Sequence, residues 1–299
     1  MPSTTGLVVA AYRRHFDVAL ADGETIACVQ KGRSLRIAAG DRVRVELDAR
    51  SRDKSGVITE VEPRRNLVYR SDAFKEKLLA ANVTQVAAVV APDIGLDEDL
   101  LNRWMIAAET AGCRYVVLAN KEDLPGYARL RERLVPYESL GYPVVPLCAQ
   151  RDAAPAREWL EGQHTVLVGQ SGMGKSTLIN ALVPDAGART TEVSEALGAG
   201  RHTTTSTTLY ALDDASWIVD SPGMKVFGLA HVAQDDLAAA FVEMRPFLGH
   251  CRFRNCRHDA EPGCAVTEAV ERGAIAPYRL DLLHALLREV ESKDGVRSR

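Results

Sequence analysis

Gly169-Gln170-Ser171-Gly172-Met173-Gly174-Lys175-Ser176 fills all eight positions of a phosphate-binding loop. Its flanks fit that reading. Thr165–Val168 ahead of it is a short apolar strand, and Lys175–Leu182 behind it has helical spacing. Glycines without a Cβ let backbone N–H groups, here from Gly169 to Thr177, curl round phosphate oxygens. The start of the following helix adds its dipole and its free N–H groups. Lys175 can reach the outer phosphates of a nucleoside triphosphate, and the Ser176 hydroxyl can ligate Mg²⁺.

Toward the C-terminus, Asp220-Ser221-Pro222-Gly223 closes the apolar strand Trp217–Val219. An Asp at a strand end can hold Mg²⁺ directly or through water, and the Gly223 N–H can meet a γ-phosphate. Many GTPases place a water-orienting Gln directly after this motif. Here that position is Met224, whose thioether cannot orient water, so slow intrinsic hydrolysis is expected. Gly200-Arg201-His202-Thr203-Thr204-Thr205 lies between the two motifs, where switch I belongs. Thr204 is the expected third Mg²⁺ ligand beside Ser176 and Asp220. His202 is the nearest polar group able to accept a hydrogen bond from the attacking water. Lys175, Thr204 and His202 therefore form the expected catalytic set.

Toward the N-terminus, Asn120-Lys121-Glu122-Asp123 caps the strand Tyr115–Ala119. The Asp123 carboxylate can accept both N1–H and N2–H of guanine, a pair of donors that adenine does not offer. Asn120 would contact the base edge and brace the loop, while the Lys121 stem would cover the ring. Cys148-Ala149, after the strand Val144–Leu147, stands where GTPases usually carry Ser-Ala. The guanine loop thus precedes the phosphate loop, the reverse of the ordinary order. A circular permutation keeps such a site intact when the former termini were close. Asp220 then leads directly into the C-terminal region.

Strands and helices alternate from about residue 83 to Asp220, which predicts a mainly parallel sheet with helices on both faces. Residues 6 to about 62 read instead as five short strands, among them the strict alternation Arg42-Val43-Arg44-Val45-Glu46-Leu47. Five such strands can close into a small OB-like barrel, and an SH3-like barrel would look much the same. The C-terminal region reads as helices over Asp235–Phe247, Val266–Arg272 and Tyr278–Glu291. The expected division is 1–70 for the barrel, 71–230 for the permuted GTPase and 231–299 for a helical metal-binding domain. Cys251, Cys256, His258 and Cys264 sit together in that last part. Three thiolates and an imidazole suit one tetrahedral zinc with no open position, a structural site.

The net charge of −3 is uneven. Residues 1–70 carry 13 basic against 9 acidic side chains, residues 71–244 carry 14 against 23, and residues 245–299 carry 10 against 8. An acidic middle with basic ends suits contact of the ends with a polyanion. Arg245, Arg252, Arg254 and Arg257 crowd the metal segment, with no acid from 245 to 258. The barrel offers Arg13, Arg14, Arg33, Arg36, Arg42 and Arg44, but few aromatics for stacking: Tyr12, Phe16 and Tyr69. No apolar run approaches the roughly 20 residues of a membrane helix. The short stretch Leu7–Tyr12 is followed by Arg13-Arg14 rather than preceded by a basic region, so no secretory signal and a cytoplasmic location are expected.

The guanine loop, the phosphate loop, Gly200–Thr205, Asp220–Gly223 with Phe227-Gly228-Leu229, and the Cys/His cluster together resemble the small-ribosomal-subunit-dependent, circularly permuted GTPases of bacteria. The resemblance covers nearly the whole chain; Cys148 departs from the usual Ser. It implies a GTP hydrolase with Mg²⁺ and one zinc. It also implies slow turnover stimulated by the small ribosomal subunit, docking on its rRNA, and a role in late subunit maturation. A monomer that cycles between GTP and GDP, with no membrane partner, is expected. Two other readings fit parts of the chain. An RNA-binding scaffold could sense GTP with little turnover. A P-loop kinase or ATPase is opposed by the guanine loop.

Overall fold

The computed structural model describes residues 3–12, 15–32, 34–48, 54–71, 76–184, 186, 207–220, 226–227, 229, 232–259 and 261–297. Five strands form the N-terminal barrel: β1 (Ser3–Ala11), β2 (His15–Leu20), β3 (Thr25–Gln30), β4 (Arg42–Leu47) and β5 (Ser55–Val61). β1 bonds to both β2 and β4, β5 lies between β3 and β4, and β3–β5 is the parallel pair, so the ring closes. The alternation read in β4 is real: Val43 and Val45 are buried, while Arg42 and Arg44 face outward. Val8, Phe16, Val18, Ile26 and Ile58 fill the same interior. Phe16 is therefore a core residue and not a platform for bases.

β1 runs past the barrel. Its Ala10 and Ala11 pair with Thr208 and Thr207 of β12 (Thr207–Ala211), which joins the barrel to the central sheet by backbone hydrogen bonds. That sheet also contains β8 (Gln85–Val90), β9 (Arg114–Ala119), β10 (Val144–Pro146), β11 (His164–Val168) and β13 (Trp217–Asp220), in the order β10-β9-β8-β11-β13-β12. All its neighbours are parallel except β12–β13. β8 is buried along its whole length, as expected of a strand covered on both faces. The helices α1 (Glu98–Thr110), α2 (Tyr127–Ser139), α3 (Ala154–Leu160) and α4 (Lys175–Leu182) connect these strands. In α1 the Asp97 carboxylate accepts from Leu100 N at 3.1 Å, a side-chain cap. Leu101, Trp104, Met105 and Ala108 follow at helical spacing and point into the core.

Three strands fall outside the sequence reading. β6 (Leu67–Ser71) and β7 (Glu76–Ala81) form a hairpin, and β14 (Val226–Phe227) adds to β6. Val226 and Phe227, six and seven residues beyond Asp220, are thus tied into a small sheet beside α1. The C-terminal region contains α5 (Gln234–Ala239), α6 (Ala265–Glu271) and α7 (Pro277–Arg297). The helix expected over Asp235–Phe247 stops at Ala239, and Arg245–Phe247 is a separate 3₁₀ turn. Pro246 sits in the first positions of that 3₁₀ turn, where its missing N–H costs no helical bond.

This region is clamped to α1. Arg279, 2% exposed, bonds Asn102 Oδ1 at 2.7 Å and Glu243 Oε1 at 2.5 Å, and lies 4.7 Å from the Phe241 ring centre. Arg103 holds Glu289 through two bonds of 2.9 and 2.7 Å. No helix among the described residues is long and apolar enough to cross a membrane.

Candidate nucleotide site and metal centre

The phosphate loop joins β11 to α4 at the carboxyl end of the sheet, where open α/β sheets bind nucleotides. Gly172 and Gly174 take φ of +85° and +97°, a region that favours glycine. A Cβ on Gly174 would collide with the Asn120 amide, and one on Gly169 would sit 2.6 Å from Val89 O. The loop therefore has room for backbone and little else. Lys175 Nζ donates to Gly169 O at 2.5 Å and Gln170 O at 3.0 Å, which folds the ammonium over its own loop. Burial lowers the Lys175 pKa, and the nearby Asp220 carboxylate opposes that shift. Asp220 ends β13, opposite Leu167 of β11, so the Mg²⁺ candidate lies beside the phosphate loop. Ser176 and Thr177 stand in the first turn of α4. Gln170 is half-buried, Ser171 and Gly172 are exposed and Met173 is buried.

Asn120 is 3% exposed, and both ends of its side chain are engaged in bracing. Nδ2 donates to Met173 O and Oδ1 accepts from Ala149 N, each at 3.0 Å. One amide thus fastens three loops: the guanine loop, the phosphate loop and the Cys148-Ala149 turn. Lys121, at φ +60°, donates to Gly172 O at 2.8 Å and to Asp93 at 2.6 Å. Glu122 N donates to Leu147 O at 3.2 Å and its side chain is exposed. The Cys148 thiol donates to the Asp123 carboxylate. That bond, then the Asp123 backbone N–H, Arg151 at 3.4 Å and Lys121, hold its pKa below the ordinary aspartate value despite some desolvation. Asp123 is therefore an acceptor at both oxygens through the physiological range.

The sequence reading missed Asp93, Ile94 and Arg151. Ile94 packs so close to Gly172 that a Cβ there would lie 2.9 Å from its Cδ1. These are single residues in loops, and no spacing announces them. His202, Thr204, Gly223 and Met224 lie outside the described residues, as do Arg13, Arg14 and Arg33. The barrel's other aromatics are engaged. Tyr12 Oη donates to Asp17 at 3.1 Å, and Arg36 lies 5.7 Å over the Tyr69 ring.

The ligating atoms of Cys251, Cys256, His258 and Cys264 all lie within 4.8 Å of one another. Cys251 and Cys264 sulfurs are 4.0 Å apart, and His258 Nδ1 is 3.5 Å from each. A tetrahedron with metal–sulfur bonds of about 2.3 Å and a metal–nitrogen bond of about 2.0 Å has edges of roughly 3.8 and 3.5 Å, so this donor set can hold a metal ion. Cys264 caps α6 and its sulfur accepts from Thr267 N at 3.4 Å. Burial opposes ionisation of Cys264, while bonds from Thr267, Cys256 and the Val266 backbone together bring its pKa below the ordinary thiol value. Burial pushes Cys256 up to about 12, so a bound metal must itself stabilise that thiolate. His258 O accepts from His284 Nε2 at 2.7 Å, which ties the cluster to α7.

The family model described as RsgA GTPase matches residues 61–230. The chain belongs to that family. GTP hydrolysis is the activity of that family. It is 49% identical over 290 residues to the small ribosomal subunit biogenesis GTPase RsgA of Burkholderia pseudomallei strain K96243, covering 95% of this chain and 91% of that one. To the protein of the same name from Nitrosospira multiformis it is 45% identical over 292 residues, covering 97% and 92%. Among solved structures, YjeQ from Thermotoga maritima superposes with a TM-score of 0.71 at 30% identity, covering 97% of this chain and 99% of that one. YloQ, a circularly permuted GTPase, superposes at 0.70 with 22% identity, which speaks for the fold alone. The permuted order read from the motifs is thus the order of an RsgA GTPase.

Proposed function

We propose that this RsgA GTPase acts in late maturation of the small ribosomal subunit, docking on its rRNA and hydrolysing GTP slowly until the subunit stimulates it. The observation that carries the nucleotide half is the Asn120 brace, which holds a guanine-selective carboxylate and a phosphate cradle in one rigid unit. The partner comes from relatives named for small-subunit biogenesis over nearly their whole length. In this reading Asp123 takes the base and Lys121 covers it. The backbone from Gly169 to Thr177 and Lys175 takes the phosphates, and Gly223 meets the γ-phosphate. Ser176, Asp220 and Thr204 would hold Mg²⁺, which neutralises charge on the β- and γ-oxygens. The natural division is 1–70, 71–230 and 231–299, and the protein works as a cytoplasmic monomer. Co-sedimentation with purified small subunits tests the partner. Binding is expected with a non-hydrolysable GTP analogue and weaker binding with GDP; equal absence of binding in every nucleotide state would overturn the reading.

The metal in this proposal is one structural zinc. The four ligands leave no open coordination position, and the segment from 249 to 263 contributes little to the apolar core. Purified protein is expected to carry about one zinc per chain. Cys256→Ser should release it and loosen residues 249–264 in hydrogen exchange, while GTP affinity stays within about twofold, since no ligand lies in the nucleotide site. A metal-free wild type with the same exchange protection would remove the zinc.

A further inference from the structure

We propose that the turn between Cys251 and Cys256 presents Phe253 as a stacking platform for an unpaired base of RNA, with Arg252 and Arg254 taking the neighbouring phosphates. The proposal rests on the reading that the partner is rRNA of the small subunit. Phe253 is 43% exposed, in a chain whose Phe16, Trp104, Tyr115, Trp217 and Phe241 are buried. Its turn is short and closed. Arg252 N donates to Gly263 O at 2.9 Å, Cys256 N to Phe253 O at 3.3 Å, and the metal-ligand cysteines stand at both ends. Gly263 packs flat against Arg252; a Cβ there would meet the Arg252 Cβ at 3.0 Å. An aromatic held this way loses little freedom on binding.

Charge decides the kind of partner. The Arg252 guanidinium lies 5.5 Å from the Phe253 ring centre, and Arg254 is exposed beside it. Neither has an ion-pair partner among the described residues. The other two arginines of the cluster are engaged within the protein, Arg245 with Glu109 and Arg257 with Glu291. The remaining exposed aromatic among the described residues, Tyr278, has Arg279, Glu243 and Glu98 near it, and that arginine is buried and already held by Glu243 and Asn102, so it is not offered to a phosphate. A protein interface would need apolar area around Phe253, but its sequence neighbours are Arg252 and Arg254. A flat ring flanked by guanidinium groups fits a nucleotide instead. That base must be unpaired, because side chains do not reach the stack of an A-form helix.

Affinity for purified small subunits, measured across a salt series, tests the proposal. Phe253→Leu is expected to weaken binding about tenfold, the size of one lost base stack, without changing the slope of log affinity against log salt. Phe253→Tyr should bind as wild type. Arg254→Ala should lower the slope by about one. Zinc content and GTP affinity should not move in any of the three, so a merely structural loss would show. A photo-cross-linking amino acid at 253 should label RNA. Wild-type affinity for Phe253→Leu, equal losses for Leu and Tyr, or cross-links to protein alone would each overturn the stacking. A wild type that does not bind subunits at all would overturn the reading of the partner instead, and the RNA site with it.

Discussion

Asp123→Asn is expected to lower GTP affinity by about 10³-fold and to leave a protein that prefers XTP. The Asp123 carboxylate has two acceptor oxygens, is held ionised by Cys148, its own backbone N–H, Arg151 and Lys121, and ends the strand whose loop Asn120 fastens to the phosphate loop. Guanine presents N1–H and N2–H as donors on one edge. Two hydrogen bonds to an ionised acceptor are worth about 1.5–3 kcal/mol each, so losing the match is worth about 10³-fold. An amide keeps one acceptor and gains a donor. Xanthine has a carbonyl where guanine has its amine and can use that donor, so discrimination inverts rather than vanishing. The change is isosteric, and the bonds of Asn120 to Met173 and Ala149 and of Lys121 to Gly172 do not pass through Asp123. Competition between GTP and XTP for a fluorescent nucleotide reads it directly. A variant that still prefers GTP would show that the base is read elsewhere.

What the sequence revealed, and what it did not, divides along a physical line. The phosphate loop, the guanine loop, Asp220 and the Cys/His cluster were readable because their chemistry demands fixed residue types at fixed spacing. The barrel was readable through β4, whose polar/apolar alternation matches burial from Arg42 to Val45. Pairings between distant parts of the chain were not. Nothing local to Ala10 announces Thr208, so the join between barrel and central sheet is visible only in three dimensions. β14 is two residues long and has no period to detect. β6 and β7 are offset by a register shift at Val68/Tyr69, which blurs the alternation. Asn120 was read as bracing its loop as well as contacting the base, but which two loops its side chain fastens depends on where those loops come to rest. Arg279 is the sharpest case. An arginine in a terminal helix reads as a solvated charge, and here it is buried against Glu243, Asn102 and Phe241.

The clamp around Arg279 bears on how nucleotide state could reach the C-terminal region. α1 touches both sides of that path. Its N-terminal residues, Asp97, Leu100, Leu101 and Trp104, lie close to Gln170 and Met173 of the phosphate loop. Its Asn102 and Arg103 hold Arg279 and Glu289 of α7. β14, a few residues beyond Asp220, packs on the same helix and pairs with β6. A shift at the γ-phosphate end would therefore meet a helix already bonded to the metal-binding region, without having to pass along the chain. Switching in P-loop proteins proceeds through such segments when they have two arrangements.

His202→Ala is expected to lower subunit-stimulated GTP turnover by about 10²-fold and to leave GTP affinity unchanged. Water attack on the γ-phosphate needs an acceptor that orients the water. The position that usually supplies a Gln is Met224, and the Asp123 and Asn120 side chains are engaged at the base end. Lys175 and the loop N–H groups are donors and would repel a water's hydrogens. His202 stands two residues before Thr204, so a threonine bound to Mg²⁺ would draw the imidazole toward the γ-phosphate. A neutral imidazole can accept from water, and a positioned acid–base group contributes about 10²- to 10⁴-fold. On the proposed function the subunit acts through His202, so the defect should be large with subunits present and small without them. GTP affinity should persist because phosphate loop and guanine loop are untouched. Single-turnover hydrolysis by wild type and His202→Ala, each with and without purified small subunits, separates the possibilities. Unchanged stimulated turnover would remove His202 from the reaction. A matching loss of subunit binding would place its role in docking rather than in orienting water.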